Sequence, residues 1–197
     1  MALDLSRDHD HVVIADLDIV NPYFRSADSM KELSEAGVKL IASPYVNSNL
    51  DVPALPQEMY SLVDDRSLTC VVDVGGDDQG AVALGRIAGR IAEENDYDMF
   101  LVINRYRPLT PDAESTVEIM HEIETAASLR FTGIINNSNL GALTDPQTVL
   151  SSLDYAREVS ELSGLPLVLT SAEESVAAQL ESQVEDLFPM RLQKRPV

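Results

Sequence analysis

Six short apolar runs recur along the chain without polar residues alternating through them: "VVIAD" (Val12 to Asp16), "VKLIA" (Val38 to Ala42), "LTCVVD" (Leu68 to Asp73), "MFLVIN" (Met99 to Asn104), "FTGIIN" (Phe131 to Asn136) and "LPLVLT" (Leu165 to Thr170). Runs of this kind suit strands covered on both faces, as in the parallel sheets of α/β proteins. Between them lie stretches with helical spacing, over residues 26–36, 56–64, 79–94, 111–129, 146–163 and 172–187. The punctuation agrees with that division. Thr110 before Pro111 reads as an N-cap with a first-turn proline, Ser171 with Glu174 as a capping box, and Gly37 and Gly164 as left-handed helix terminators. The alternation predicts an α/β fold: a doubly wound, mostly parallel sheet of about six strands with helices on both faces. No repeat or linker divides the chain, so residues 1–188 read as a single domain and residues 189–197 as a short basic tail.

Charge narrows the choice of partner. The 33 acids against 14 bases give a formal net charge of -19, which repels phosphate backbones and anionic lipid, so neither nucleic acid nor stable membrane association is expected. The lone Cys70 rules out an internal disulfide framework and a multi-cysteine metal site. His9, His11 and His121 make no metal-ligand constellation by spacing. No apolar run approaches the roughly 20 residues that span a bilayer, and no secretory signal opens the sequence, so the expected location is cytoplasmic.

In open α/β sheets ligands sit at the carboxyl ends of the strands, so the residues just after each run carry the functional reading. The first run ends in Asp16 and Asp18, the third in Asp73 followed by "VGGDD", the fourth in "NRYRP", the fifth in "NNSNLG" and the last in "TSAEES". Three acids, two adjacent glycines and several asparagines on one rim suit a divalent cation with a phosphorylated ligand. Hard cations prefer carboxylate oxygen, and Gly75 and Gly76 let backbone approach a phosphate closely. Singly, each residue is an ordinary turn former; the reading rests on their shared position.

"VVIADLDIVNPYFRS", then "VVDVGGDDQGAVALGR" and "GIINNSNLG", resemble the MinD/ParA/CobQ-type nucleotide-binding domains of the P-loop NTPase class, over about residues 2–177. The resemblance implies an ATP site with magnesium. In it Asp18 would orient the attacking water, Asp16 would support the magnesium shell, and Asp73 would be the Walker B acid. Gly76 would lie near the γ-phosphate, and Asn136, with Asn137, would meet the adenine edge. It also implies something missing. Such domains open with a strand and a glycine-rich loop ending in Gly-Lys-Ser/Thr, and this sequence contains no G-x-x-x-x-G-K-[ST]. The expectation is a domain truncated upstream of Met1, through a late or internal start or through gene decay. ATP binding and hydrolysis are then weak or lost, because the phosphates lose the loop amides and lysine. The absent strand would be shared by the runs at 68–73 and 99–104, which must either pair directly or leave the chain poorly stable.

Two other classes fit parts of the pattern. Haloacid-dehalogenase-type phosphatases also begin with a strand and D-x-D, which would make Asp16 a nucleophile and Asp18 a general acid/base. Their later motifs do not follow in order here, since "VVDVGGDD" precedes "LVLTS" and no lysine lies between. The third class is a non-enzymatic pseudo-ATPase that binds a protein partner or a second copy. The helix over 79–94 carries Ala81, Gly85 and Gly89 at a four-residue spacing suited to close packing, although Leu84, Ile87, Ala88 and Ile91 also define an ordinary sheet-facing stripe.

Overall fold

The computed structural model describes residues 1–17, 29–42, 57–75 and 78–192. The chain divides into two compact units: residues 1–96 with 126–128 and 193–197, and residues 97–125 with 129–192.

The first unit carries a three-stranded sheet in the order β2-β1-β3, with β1 Val12–Asp16, β2 Lys39–Ala42 and β3 Thr69–Asp73. Both pairings are parallel, and β1 is the central strand. Helices α1 (Ala2–Leu5), α2 (Met30–Glu35), α3 (Ser61–Asp64, continuing a 3-10 turn over Gln57–Tyr60) and α4 (Asp78–Glu94) belong to this unit. Ala2, Val12, Leu33 and Val38 form a core there, with Ile14, Leu40 and Val71 packed against it. Gly37 follows α2 at φ +75°, the left-handed turn expected of it. On α4 the buried face is Leu84, Ile87 and Ala88 together with Ala81. The small residues do not act as one stripe: a Cβ on Gly85 would lie 3.1 Å from the Ala126 carbonyl oxygen, whereas one on Gly89 would meet nothing within 4 Å.

The second unit carries a four-stranded sheet, β4-β5-β6-β7, again parallel throughout: β4 Phe100–Ile103, β5 Gly133–Asn136, β6 Leu167–Glu173 and β7 Leu187–Met190. Its helices are α5 (Ala113–Ala127, whose last two residues fall in the first unit), α6 (Pro146–Leu150), α7 (Leu153–Ser163) and α8 (Glu174–Ala177). Ile134, Tyr155, Ala156 and Val159 are buried together with Leu101, Ile103 and Met120 in the main core.

All six expected strands are present, and the architecture is α/β with parallel pairing. The differences lie in their grouping and at the chain's end. Among the described residues there are seven strands in two sheets rather than about six in one. β3 and β4, the two runs expected either to pair or to destabilise the chain, are each an end strand of their own sheet. The helix expected over 172–187 is reduced to the four residues of α8, because β6 runs on through Ser171 to Glu173. Ser171 is therefore a strand residue. Glu173 caps α8 instead, its carboxylate accepting the Ser175 N–H at 2.9 Å. Pro189 and Met190, read as the start of a tail, lie in β7. At α5 the first-turn acceptor is Asp112, which takes the Ser115 N–H at 2.8 Å, rather than Thr110.

One buried carboxylate ties the end of α5 to the entrance of β5. Glu124 accepts the Phe131 N–H at 3.0 Å and an Arg130 N–H at 2.5 Å, with His121 Nδ1 at 3.4 Å. Burial works to raise this carboxyl, but the Phe131 amide, Arg130 and His121 outweigh it and hold it below its ordinary value. Arg130 is largely exposed, so the ion pair itself adds little. Replacing Glu124 by alanine is expected to cost about 2 kcal/mol, chiefly for the buried Phe131 N–H left unpaired. Because the folded carboxyl titrates below the unfolded one, its contribution is complete above the ordinary range and drains away as pH falls through the folded value. Urea unfolding at neutral and acidic pH should therefore show Glu124→Gln flattening the acid loss of stability.

Candidate functional site

In the first unit, the parallel register makes Asp16 and Asp73 direct partners at the carboxyl ends of β1 and β3. Residues opposed in this way share one face of the sheet, on strands about 4.8 Å apart. The Leu17 N–H donates to the Asp73 carbonyl at 2.7 Å and ties the two strand ends beyond the carboxylates. Asp16 is buried, at 5% exposure, and Asp73 is open to solvent. The chain then runs from β3 through Val74 and Gly75 towards α4. A Cβ on Gly80, in the first turn of α4, would lie 2.9 Å from the Gly75 oxygen and 3.0 Å from its nitrogen. The helix start and the Gly75 backbone thus fit only because Gly80 has no side chain. Asp18 and Gly76 lie outside the described residues.

In the second unit, Ile103, Asn136 and Thr170 are level across the carboxyl ends of β4, β5 and β6. Just beyond them, amide and hydroxyl groups knit the loops together. Asn136 is fully buried; its Nδ2 donates to Ser152 Oγ at 3.0 Å and its Oδ1 accepts the Ser138 N–H at 3.2 Å. Asn137 is half-buried at the rim. Its N–H donates to the Ile103 carbonyl at 2.9 Å, and its Oδ1 accepts from Ser171 Oγ at 2.9 Å. Asn104 Oδ1 accepts the N–H groups of Tyr106 at 3.0 Å and Asn139 at 3.3 Å, and Ser138 Oγ accepts the Arg105 N–H at 3.0 Å.

The two asparagines therefore do different work. Asn136 spends both ends of its amide inside the protein, whereas Asn137 presents a rim position. Ser138, Ser152 and Ser171 complete this lattice, and the sequence reading did not single out Ser138 or Ser152. The pairing of Ser152 with Asn136 spans 16 residues, so no local pattern could have announced it.

The chemistry available is limited. The first unit offers paired carboxylates and a close-packed glycine backbone; the second offers uncharged donors and acceptors. Burial, assisted by Asp65, pushes the Cys70 thiol up, and its Sγ donates to the Leu62 carbonyl at 3.7 Å. Among the described residues no group of three or more His, Cys, Asp or Glu side chains could hold a metal ion, and no helix is long and apolar enough to cross a membrane. No protein-family model, curated protein or solved structure matches the chain.

Proposed function

We propose that the chain is a nucleotide-binding domain of the MinD/ParA type of P-loop NTPase, in which Asp16 and Asp73 hold magnesium against the phosphates of ATP. We further propose that binding and hydrolysis are weak in this chain, because no glycine-rich phosphate loop is in its sequence. The observation that carries the reading is the register that opposes Asp16 and Asp73 at the carboxyl ends of adjacent parallel strands. Magnesium takes one or two carboxylates and otherwise keeps water and phosphate oxygens, so a pair of acids fits it where a larger cage is not needed. Bound there, magnesium would neutralise phosphate charge. Without the cation, carboxylates at this place would repel the phosphates.

The remaining roles follow from the resemblance: Asp18 orienting water, and Gly75 and Gly76 beside the phosphates. By the same resemblance Asn136, with Asn137, would meet the base edge; of the two, Asn136 is buried and Asn137 half-buried. A doubly wound sheet with helices on both faces is the finer form of this fold. It is supported by the wholly parallel pairing and by the end positions of β3 and β4, the two strands to which the resemblance gives a shared neighbour.

A titration with a fluorescent ATP analogue, with and without magnesium, tests the assignment. Asp73→Asn is expected to abolish the magnesium-dependent part of the binding and leave the metal-free signal unchanged. An equal magnesium response in Asp73→Asn would sink the reading. Turnover of a generic phosphate ester that disappears in Asp16→Asn would point instead to the dehalogenase-type phosphatase.

A further inference from the structure

The two most exposed large apolar residues among those described, Leu143 at 81% and Leu109 at 79%, both lie on loops at the carboxyl rim of the second unit. Leu109 is on the loop after β4. Leu143, with the exposed Leu140, is on the loop after β5, the adjacent strand. The two loops are stitched together: Asn104 Nδ2 donates to the Asn139 carbonyl at 3.3 Å, and the Asn139 N–H donates to Asn104 Oδ1 at 3.3 Å. Each loop is also held within itself. The Thr110 N–H donates to the Arg107 carbonyl at 3.2 Å, closing a turn around Leu109. The Leu140 N–H donates to Thr144 Oγ1 at 2.9 Å, and that hydroxyl donates to the Gly141 carbonyl at 2.7 Å. All of these bonds lie within the second unit. Leucines fixed in water by bonded loops form an apolar patch that needs no ordering when it is covered.

Charge identifies what would cover it. The loop of Leu109 also carries Arg105 and Arg107, both exposed. Six other arginines among the described residues pair with carboxylates, and these two do not. Arg105 donates to the neutral Ser151 carbonyl at 2.7 Å, which orients its guanidinium and leaves the charge uncompensated. The acids of the same two loops are taken up by their own helices: Asp112 accepts the Ser115 N–H at 2.8 Å and Asp145 the Thr148 N–H at 2.7 Å. Cations and leucines therefore share one rim in a chain of net charge -19. A segment with carboxylates beside apolar side chains complements both features. A lipid surface fits less well, since a flat anionic plane meets the whole unit, in which acids far outnumber arginines. A narrow segment feels chiefly the charges within a Debye length, about 8 Å at physiological salt.

We propose that this rim is a docking site for an acidic amphipathic helix of a partner protein, with Leu109, Leu140 and Leu143 meeting its apolar face and Arg105 and Arg107 its carboxylates. The proposal does not rest on the nucleotide reading.

Fluorescence anisotropy of a labelled synthetic helix of about 18 residues, with leucines along one face and glutamates beside them, tests it against the full chain without nucleotide. Saturable binding is expected, with a dissociation constant of about 10–500 μM for so small a patch, weakening as salt is raised. The same peptide with serine for leucine, or with lysine for glutamate, should not bind. Arg107→Glu should weaken binding about fivefold or more, and Leu109→Ser with Leu143→Ser about tenfold or more. Leu162→Ser, at an exposed leucine near the end of α7 that leads into β6, should change nothing. All these side chains are exposed, so circular dichroism should show unchanged folding. No binding at millimolar protein overturns the proposal, as does binding indifferent to the rim variants or equal for the three peptides. Binding of phosphatidylglycerol vesicles that is lost in the leucine variant overturns it in favour of a lipid surface.

Discussion

Asn136→Ala is expected to lower the unfolding free energy by about 3 kcal/mol, the sum of a buried Ser138 N–H left unpaired and a lost amide–hydroxyl bond to Ser152. The effect is large because Asn136 has no exposure, so water cannot take over either contact. Ser152→Ala removes the amide–hydroxyl bond together with the hydroxyl's donation to the Val149 carbonyl, leaves the buried Asn136 Nδ2 unpaired and should cost about 2 kcal/mol. Because the pair shares a bond, the double variant should lose less than the sum of the single losses. Urea unfolding of the three variants checks this. A loss below about 1 kcal/mol for Asn136→Ala would show that the loop after β5 is held by something else.

Gly80→Val should cost a similar amount, about 3 kcal/mol, for a different reason. A β-carbon at this position would sit 2.9 Å from the Gly75 oxygen and 3.2 Å from Val74 Cγ1, and the nearest obstacle is backbone that cannot rotate away. A β-branched side chain adds bulk that has little rotameric escape in a helix. The relief available is displacement of Gly75, so the substitution should disturb the proposed phosphate side as well as stability. Amide exchange around Gly75 should rise in a Gly80→Ala variant, which folds more readily than the valine form. An unchanged exchange pattern would mean that the helix start yields instead.

The strands were legible because parallel sheets cover both faces, and a continuous apolar run such as Val12 to Ala15 has few other uses. The acids at the tips of β1 and β3 were legible for the same reason: each ends a strand, and the register then opposes them. Grouping into sheets was not legible, since an apolar run does not name its neighbour. β7 was missed because it has only four residues and contains Pro189, which ordinarily argues against a strand. At the edge of a sheet, a missing N–H is tolerated. The break between α6 and α7 was hidden for another reason. Ser151 and Ser152 interrupt a helical spacing, but the buried Ser152 hydroxyl is needed by Asn136, a partner on a different element. The roles of Asn136 and Asn137 separate on burial, which their adjacency in sequence conceals.

Titrating the isotopically labelled chain with magnesium-ATP, followed by backbone resonances, bears most directly on the account. The expected result is weak, saturable binding, with a dissociation constant above about 100 μM for want of phosphate-loop donors. The shifts should concentrate at Asp16, Asp73 and Asn137. Micromolar affinity in this chain would contradict the weakened site. Silence at all three positions at millimolar magnesium-ATP would contradict the nucleotide reading itself.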